Sequence, residues 1–250
     1  MPMSILMQSV QSLFIEMRMN GHKLSTGTAF VVNAPQGPVL ITNRHNVTGR
    51  NNSTNELLSE NGHIPDEIII MHNKEGEFGV WISKSEPILN DYNPLWIEHP
   101  TLGTRADFVA LKLTNLDGVK LYPYDLLPNE NEIVVKPSDN ISVIGFPFGL
   151  TGGGALGIWA TGFMATEHDI DYGGLPTFLI DCRARQGQSG SAVIAHRNTG
   201  IMQGEDGRMF MRTGPTTKFL GIYSGRINKE SDLGIVWKTS AIRELIETIV

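Results

Sequence analysis

Cysteine is almost missing from the sequence: Cys182 is the single one among 250 residues. One cysteine can neither form a disulfide within the chain nor build a cysteine metal cluster, and such usage suits a reducing compartment. The N-terminal segment also lacks a basic region followed by an unbroken apolar one, and no apolar stretch is long enough to span a membrane. We therefore expect a cytoplasmic protein with no membrane partner.

Clusters of like charge are missing as well. The net charge is −6 at pH 7 and no run of five or six residues of one sign occurs, which argues against a nucleic-acid partner. No repeat and no low-complexity tract is present, so repeat architectures are disfavoured. Hydrophobic residues make up 40% of the chain, enough to bury a core in one large domain or two small ones.

Alternation of apolar and polar residues is what the chain has in abundance. In residues 13–19 every second side chain is apolar, from Leu13 to Met19, which is the pattern of a strand with one buried face. The dipeptide Asn20-Gly21 follows and is a strong hairpin turn. Further short β-rich runs, separated by Gly, Pro, Asn and Asp, continue to the segment LGIVW. The sequence therefore predicts an all-β protein of two barrels or sandwiches.

Only the C-terminus has a helical pattern. Ser240 is a candidate N-cap, and the apolar residues after it follow the spacing of one helix face: Ile242, Leu245, Ile246 and Ile249. We expect an N-terminal barrel in residues 1–118, and a linker, a C-terminal barrel and this helix in residues 119–250. The polar stretch from Asn115 to Glu132 is the predicted connection, and residues 48–67 are a predicted surface loop.

The stretch RARQGQSGSAVI, which starts at Arg183, carries a candidate nucleophile, Ser189. A serine hydroxyl attacks well only when a base takes its proton and an acid orients that base. His45 ends the apolar run VLITNRHNV and Asp107 begins DFVALKL, so both stand at the ends of rigid strands. Gly187 would allow an unusual turn in which the N–H groups of Gly187 and Ser189 converge as an oxyanion hole.

Two other patterns favour ordinary loops over binding sites. The stretch GGGALG, Gly152 to Gly157, matches the dinucleotide fingerprint, but no alternation of strands and helices surrounds it, so we predict a mobile loop. The acidic residues Glu167, Asp169 and Asp171 beside His168 could hold a cation, although an exposed loop explains them equally well. We expect no cofactor and no metal.

Classes of serine hydrolase differ in the order of their three catalytic residues along the chain. The candidates His45, Asp107 and Ser189 follow the chymotrypsin order. With it, the segments GTAFVV, VLITNRHNV, ADFVALKL, ISVIGFPFGL, DCRARQGQSGSAVI and FLGIYSG resemble trypsin-like serine peptidases, most of all the HtrA-type branch without its PDZ domain. The resemblance implies a chymotrypsin-like double β-barrel with a C-terminal α-helix. It also implies a serine endopeptidase that acts on proteins or peptides.

Carried over to this sequence, the resemblance makes Ser189 the nucleophile, His45 the general base and Asp107 its orienting acid, with Gly187 and Ser189 forming the oxyanion hole. Ser191 departs from the family, since many members have a second glycine there and glutamate-preferring peptidases resemble this variant. Gln188 stands where trypsins carry the aspartate that pairs with a cut N-terminus, so we do not expect activation by propeptide cleavage. The chain ends after its helix, so no peptide-reading domain is expected.

Two alternatives to a peptidase stay open at this stage. A catalytically silent barrel pair could bind a protein or peptide without cleaving it, and an esterase could use the same residues. An activating partner is also compatible with the sequence.

By the same resemblance, the segments DCRARQG and GIYSGR border the specificity pocket, which gives four candidate pocket residues: Arg183, Arg185, Ser224 and Arg226. Arg183 stands six residues before Ser189, where trypsin-like enzymes keep a base-selecting aspartate. A guanidinium there could bind a substrate carboxylate and repel lysine or arginine. In the alternative, the arginines point outward or pair internally, for example with Asp181, and leave an apolar pocket.

Overall fold

The structure is a computed structural model that describes residues 5–59, 61–127, 133–198, 200–203, 207–212, 214–228 and 230–249. Two units of antiparallel β-structure follow each other along the chain. Within the described ranges, no helix is long and apolar enough to cross a membrane.

The first unit is an antiparallel sheet that contains most of the strands before residue 121. Its strands, with one small hairpin, are β1 Ser12–Met19, β2 His22–Ala34, β3 Gly37–Thr42, β4 Glu67–Lys74, β5 Trp81–Pro87, β6 Leu89–Asn90, β7 Asn93–Pro94, β8 Trp96–Ile97, β9 Val109–Lys112 and β10 Val119–Lys120. The sheet order is β10-β4-β1-β2-β3-β9-β8, with β5 on β4, while β6 pairs with β7. Because β10 pairs with β4, this sheet includes residues on both sides of the predicted boundary at residue 118.

The second unit is a closed barrel. The strands after residue 139 are β11 Asn140–Gly145, β12 Ile158–Met164, β13 Thr177–Asp181, β14 Ala192–Arg197, β15 Gly200–Gln203, β16 Met209–Arg212, β17 Thr216–Arg226 and β18 Leu233–Lys238. The barrel closes in the order β11-β12-β13-β18-β17-β14, and β15 pairs with β16 in a separate hairpin. The last five residues of the predicted connection, 128–132, lie outside the described residues.

The helices are short. They are α1 Met7–Gln11, α2 Arg44–Thr48 and α3 Thr239–Glu247, with 3-10 turns at Pro147–Gly149 and Tyr172–Gly174. The predicted C-terminal helix is confirmed as α3, but its predicted N-cap is wrong. Lys238 holds the cap position in an extended conformation because β18 runs directly into the helix, and Ser240 therefore lies inside the first turn.

Three apolar clusters hold these elements together. Each unit has its own core, built from alternate residues of its strands. The third cluster joins the units, since Phe30 of β2 and Phe108, just before β9, pack with Trp237 from the barrel and with Ile242 and Leu245 from α3. Burial of side chains of this size is the main favourable term in packing. It fixes the two units against each other. The predicted all-β chymotrypsin-like fold is confirmed.

Candidate active site

His45 lies where the first sheet meets the second unit. Strand β3 ends at Thr42 and the chain turns at once into α2, so the buried strand fixes where the helix begins. The helix is ended by Gly49, whose φ of 63° is left-handed and whose N–H donates to the His45 carbonyl at 3.0 Å. The His45 side chain is 17% exposed, and one ring edge remains open to the cleft.

Asp107 is brought beside His45 by strand pairing. Strand β9 pairs with β3, with Val109 opposite Thr42, so the residues just before β9 lie next to the end of β3. The Asn43 side chain donates to the Asp107 carbonyl at 2.6 Å and locks this segment in place. His45 and Asp107, 62 positions apart in the sequence, are therefore neighbours because β3 and β9 pair.

The Asp107 carboxylate orients the imidazole. Its Oδ2 lies 2.8 Å from His45 Nδ1, and its Oδ1 accepts the backbone N–H of His45 at 3.1 Å. An ionised carboxylate only accepts hydrogen bonds, so Nδ1 must carry the proton. The Nε2 atom of neutral His45 is then a free base.

Ser224 completes the support of this carboxylate. The residue belongs to β17 of the second unit, and its Oγ donates to Asp107 Oδ2 at 2.5 Å. The sequence pattern indicated Ser224 only as a pocket residue, because nothing in the segment GIYSGR points to a residue 117 positions earlier. Pairing of β17 with β14 and β18 places it there.

The electrostatics of His45 fit the role of a base. Burial lowers the pKa of this histidine, but the charge of Asp107 and its hydrogen bond outweigh burial, so the pKa of His45 is raised above its usual 6.5. The same interaction stabilises an imidazolium formed during proton transfer.

Ser189 lies at the same cleft as His45, and its hydroxyl makes no hydrogen bond to the imidazole. The two residues line the same two cavities, and Ser189 is half-buried in the turn before β14. Among the described residues, neither the Ser189 hydroxyl nor His45 Nε2 has a hydrogen-bond partner in the protein. Both reactive groups are therefore available to a third molecule.

The turn before Ser189 combines a left-handed glycine with two backbone N–H groups that have no partner among the described residues. Gly187 has φ of 93°, and a Cβ at this position would lie 2.4 Å from the Phe146 carbonyl oxygen, so glycine is needed. Within the described chain, the backbone N–H groups of Gly187 and Ser189 donate to no other protein atom. Two unpaired donors beside a serine hydroxyl are suited to hold a developing negative charge.

Two cavities border His45 and Ser189. The cavity beside β17 has about 380 Å³ and is lined in part by Arg105, Ser224 and Arg226. The second cavity has about 400 Å³ and is lined by Gly187 and several apolar residues, among them Met17, Leu24 and Pro65. Leu58 borders both, so the predicted surface loop at residues 48–67 also forms part of the cleft wall, which the polar sequence did not indicate.

The arginines of the predicted pocket are not equivalent. Arg183 is exposed and lines neither cavity. The Arg185 guanidinium pairs with Asp232 at 3.0 Å, whereas Asp181 was the partner considered from the sequence. Arg226 lines the cavity that also contains His45 and Ser189.

The residues of the two remaining sequence patterns line neither cavity of the cleft. Gly154 packs against the Trp81 ring so closely that a Cβ would lie 2.2 Å from it. In the acidic stretch, Asp171 accepts from Lys238 at 2.6 Å and His168 lies 3.5 Å from Asp169. The described residues contain no group of three or more His, Cys, Asp or Glu side chains that could hold a metal ion.

Comparison with solved structures shows the fold. A serine endoprotease from Yersinia pestis is similar over 100% of this chain and 67% of its own, with 14% identity and a TM-score of 0.54. The Rv3671c protease from M. tuberculosis is similar over 97% of this chain, with 14% identity and a TM-score of 0.51. The match covers 90% of its inactive form and 82% of its active form.

Comparison of sequences shows the family. No curated protein matches this chain. A family profile described as the trypsin-like peptidase domain, however, matches residues 27–201, a span that contains His45, Asp107 and Ser189. The chain therefore belongs to the trypsin-like peptidase domain family.

Proposed function

We propose that this protein is a serine endopeptidase with Ser189 as nucleophile, His45 as general base and Asp107 as the acid that orients it. The observation that carries the proposal is the arrangement of charges and donors around Ser189. A carboxylate-bound imidazole and two residues with unpaired backbone N–H groups, Gly187 and Ser189, border the same cavity. Acyl transfer needs both at once.

The proposed reaction proceeds in two halves. Ser189 Oγ attacks the carbonyl carbon of the peptide bond while His45 Nε2 takes its proton, and the new oxyanion accepts from the N–H groups of Gly187 and Ser189. His45 then gives the proton to the leaving amine nitrogen, which leaves an acyl group on Ser189. In the second half, water attacks this ester with His45 again as base, and Ser189 is released.

The cleft supports a protein or peptide as substrate, since Ser189 borders two cavities that differ in the rest of their lining and together offer room for the chain around the cut. The residues of the proposed mechanism need no cofactor. Cys182 is buried, and burial raises the pKa of its thiol to about 11, so this thiol is unreactive. Because a single cysteine suits a reducing compartment, we propose the cytoplasm as the place of action.

A fluorophosphonate probe tests the proposal directly, because it labels only serines activated by a base and an oxyanion hole. We expect one labelled peptide, modified at Ser189. Ser191 provides a matched control two residues away, since its hydroxyl is buried, and Ser191→Ala should still be labelled. An unlabelled wild-type protein would support the silent peptide-binding alternative, and label on any other serine would refute the assignment.

We also propose that the cleft excludes lysine and arginine side chains beside the cut. Among the described residues that line the cavity next to β17, the charged ones besides His45 are Arg105, Arg226 and Asp107. Asp107 already accepts hydrogen bonds from His45 and Ser224, so it cannot serve a cationic substrate. An acidic or an apolar side chain is compatible with this lining.

Digestion of a peptide library decides between these two readings. Cuts after Asp or Glu would identify an acidic preference, and cuts after Leu, Val, Ala or Phe would identify an apolar one. We expect Arg226→Glu to reduce any acidic preference at least tenfold in kcat/KM, because it reverses the charge in the cavity. Arg183→Glu, on an exposed side chain outside both cavities, should leave the preference unchanged. Cuts mainly after Lys or Arg would contradict both readings.

A further inference from the structure

We propose that Thr28 is a positioning residue for the oxyanion turn, residues 186–189. It holds the turn in the conformation in which the N–H groups of Gly187 and Ser189 have no partner in the described protein. The inference rests on the proposed function, because it assigns a role within the same site. Thr28 belongs to β2 in the first unit and the turn belongs to the second. It is fully buried and does not border either cavity of the cleft.

Every polar group of Thr28 is engaged, and two of them hold the turn. Its hydroxyl donates to the Gly187 carbonyl at 2.9 Å and its backbone N–H donates to the Ser189 carbonyl at 2.9 Å. The hydroxyl also accepts the Phe146 N–H at 3.1 Å, and the Thr28 carbonyl accepts from the Thr42 hydroxyl at 2.8 Å. Thr28 therefore holds the carbonyl groups of both oxyanion residues.

The bond to Phe146 extends this hold to the first residue of the turn. Phe146 lies just before the 3-10 turn at Pro147–Gly149, and the N–H of Phe148 in that turn donates to the Gln186 carbonyl at 2.6 Å. The carbonyls of residues 186, 187 and 189 are thus each bound by a donor, and the Ser189 carbonyl also accepts from Asn46 Nδ2 at 3.2 Å. The Gly187 N–H belongs to the same peptide as the Gln186 carbonyl, and the Ser189 N–H to the same peptide as the Gln188 carbonyl, which accepts from the Ser191 N–H at 3.0 Å. With these two peptides and the Gly187–Gln188 peptide between them held, both N–H groups stay free for the substrate.

The side chain of residue 28 must carry a hydroxyl group to hold the turn. Gly187 adopts a left-handed φ of 93°, which is one of several conformations open to glycine, so hydrogen bonds from its surroundings select it. Valine has nearly the shape of threonine but would leave the Gly187 carbonyl and the Phe146 N–H buried without partners. The freed carbonyl belongs to the Gly187–Gln188 peptide, which lies between the peptide that carries the Gly187 N–H and the peptide that carries the Ser189 N–H. Its rotation toward another partner would change the angle between the two oxyanion donors.

Thr28→Val tests this role by kinetics. Loss of one oxyanion donor lowers kcat by about 10²–10³-fold. Because Thr28 acts through the turn and the backbone N–H of residue 28 remains, we expect a fall in kcat of about 10–100-fold, with KM changed by less than about twofold. Thr28→Ser keeps the hydroxyl and should restore most of the activity.

The inhibition constant Ki of a peptide aldehyde distinguishes a positioning role of Thr28 from a purely structural one, because a structural role would leave Ki unchanged. The adduct of the aldehyde with Ser189 places an oxyanion in the hole, so its Ki should rise in Thr28→Val by the same factor by which kcat falls. The pH at which kcat/KM falls on the acid side should stay unchanged, because Thr28 does not contact His45 or Asp107.

Ser12→Ala is the matched control. Ser12 is also buried in the first unit, and its hydroxyl donates to the Ile144 carbonyl of the second unit at 2.8 Å. Its loss should lower Tm by an amount similar to that of Thr28→Val while kcat is unchanged. If Thr28→Val does not fold, Thr28→Ala, in which water can reach the freed groups, is measured in the same assays.

The outcomes separate this inference from the proposed function. A wild-type protein that neither cleaves peptides nor reacts with a fluorophosphonate refutes the proposed function and this inference with it. An active wild-type protein and a folded Thr28→Val or Thr28→Ala variant of equal kcat and aldehyde Ki would refute the role of Thr28 alone. A fall in kcat equalled by Ser12→Ala would also overturn it.

Discussion

Ser189→Ala is expected to lower kcat toward any cleaved peptide by about 10⁶-fold, the loss seen when the nucleophile of such a triad is removed. The Ser189 hydroxyl has no hydrogen-bond partner in the described protein, so the variant loses no stabilising contact. The turn and both cavities should remain as they are. Peptide affinity should therefore be retained while turnover disappears.

The measurement is kcat on a peptide taken from the library digest, together with Kd for the same peptide in the variant. Ser191→Ala serves as the control, because it removes a neighbouring hydroxyl that is buried and has no hydrogen-bond partner among the described residues. Activity of Ser189→Ala above about 10⁻³ of the wild-type value would show that another group carries the reaction.

Asp107→Asn is expected to lower kcat by about 10⁴-fold without unfolding the protein. The loss of activity follows from which atom of the asparagine amide faces His45 Nδ1. The Oδ1 position receives the backbone N–H of His45, a donor that cannot turn away, so the amide oxygen of asparagine must occupy it. The NH₂ group then faces His45 Nδ1, which is forced to accept a hydrogen bond and leaves the proton on Nε2. His45 in this tautomer cannot take a proton from Ser189.

The pH dependence of kcat/KM checks the same interaction. Only neutral His45 is a base, so activity falls as pH decreases through its pKa. Asp107 raises that pKa and burial lowers it, so the acid limb of the wild-type protein should lie above pH 6.5 and the residual limb of Asp107→Asn should lie at lower pH. Near-normal turnover in the variant, or an unmoved acid limb, would remove Asp107 from the mechanism.

Local patterns predicted elements correctly where the chain itself decides their form. The alternation after Leu13 corresponds to β1, and the turn that follows has φ of 49° at Asn20 and 77° at Gly21, which these residue types tolerate. The apolar spacing near the C-terminus corresponds to α3. Its first residue differed from the prediction because a strand ran directly into it, and no cap residue was needed.

The roles of Ser224 and Thr28 could not be predicted in this way. Both are ordinary hydroxyl residues in strands, and their partners Asp107 and Gly187 lie far away in the sequence. A hydrogen bond across two units depends on the register of several strands and on the packing between the units. A local sequence pattern predicts neither the register nor the packing.

The sequence by itself determined the β-rich class, the terminal helix and three candidate residues in the order His45, Asp107, Ser189, because period, turn chemistry and motif order are properties of short segments. Only the tertiary structure decided which groups support them. It brought Ser224 to the carboxylate and Thr28 to the oxyanion turn, placed Arg226 in the cleft and left Arg183 outside it. The physical reason is that these contacts exist only after Phe30, Phe108 and Trp237 have packed the two units together.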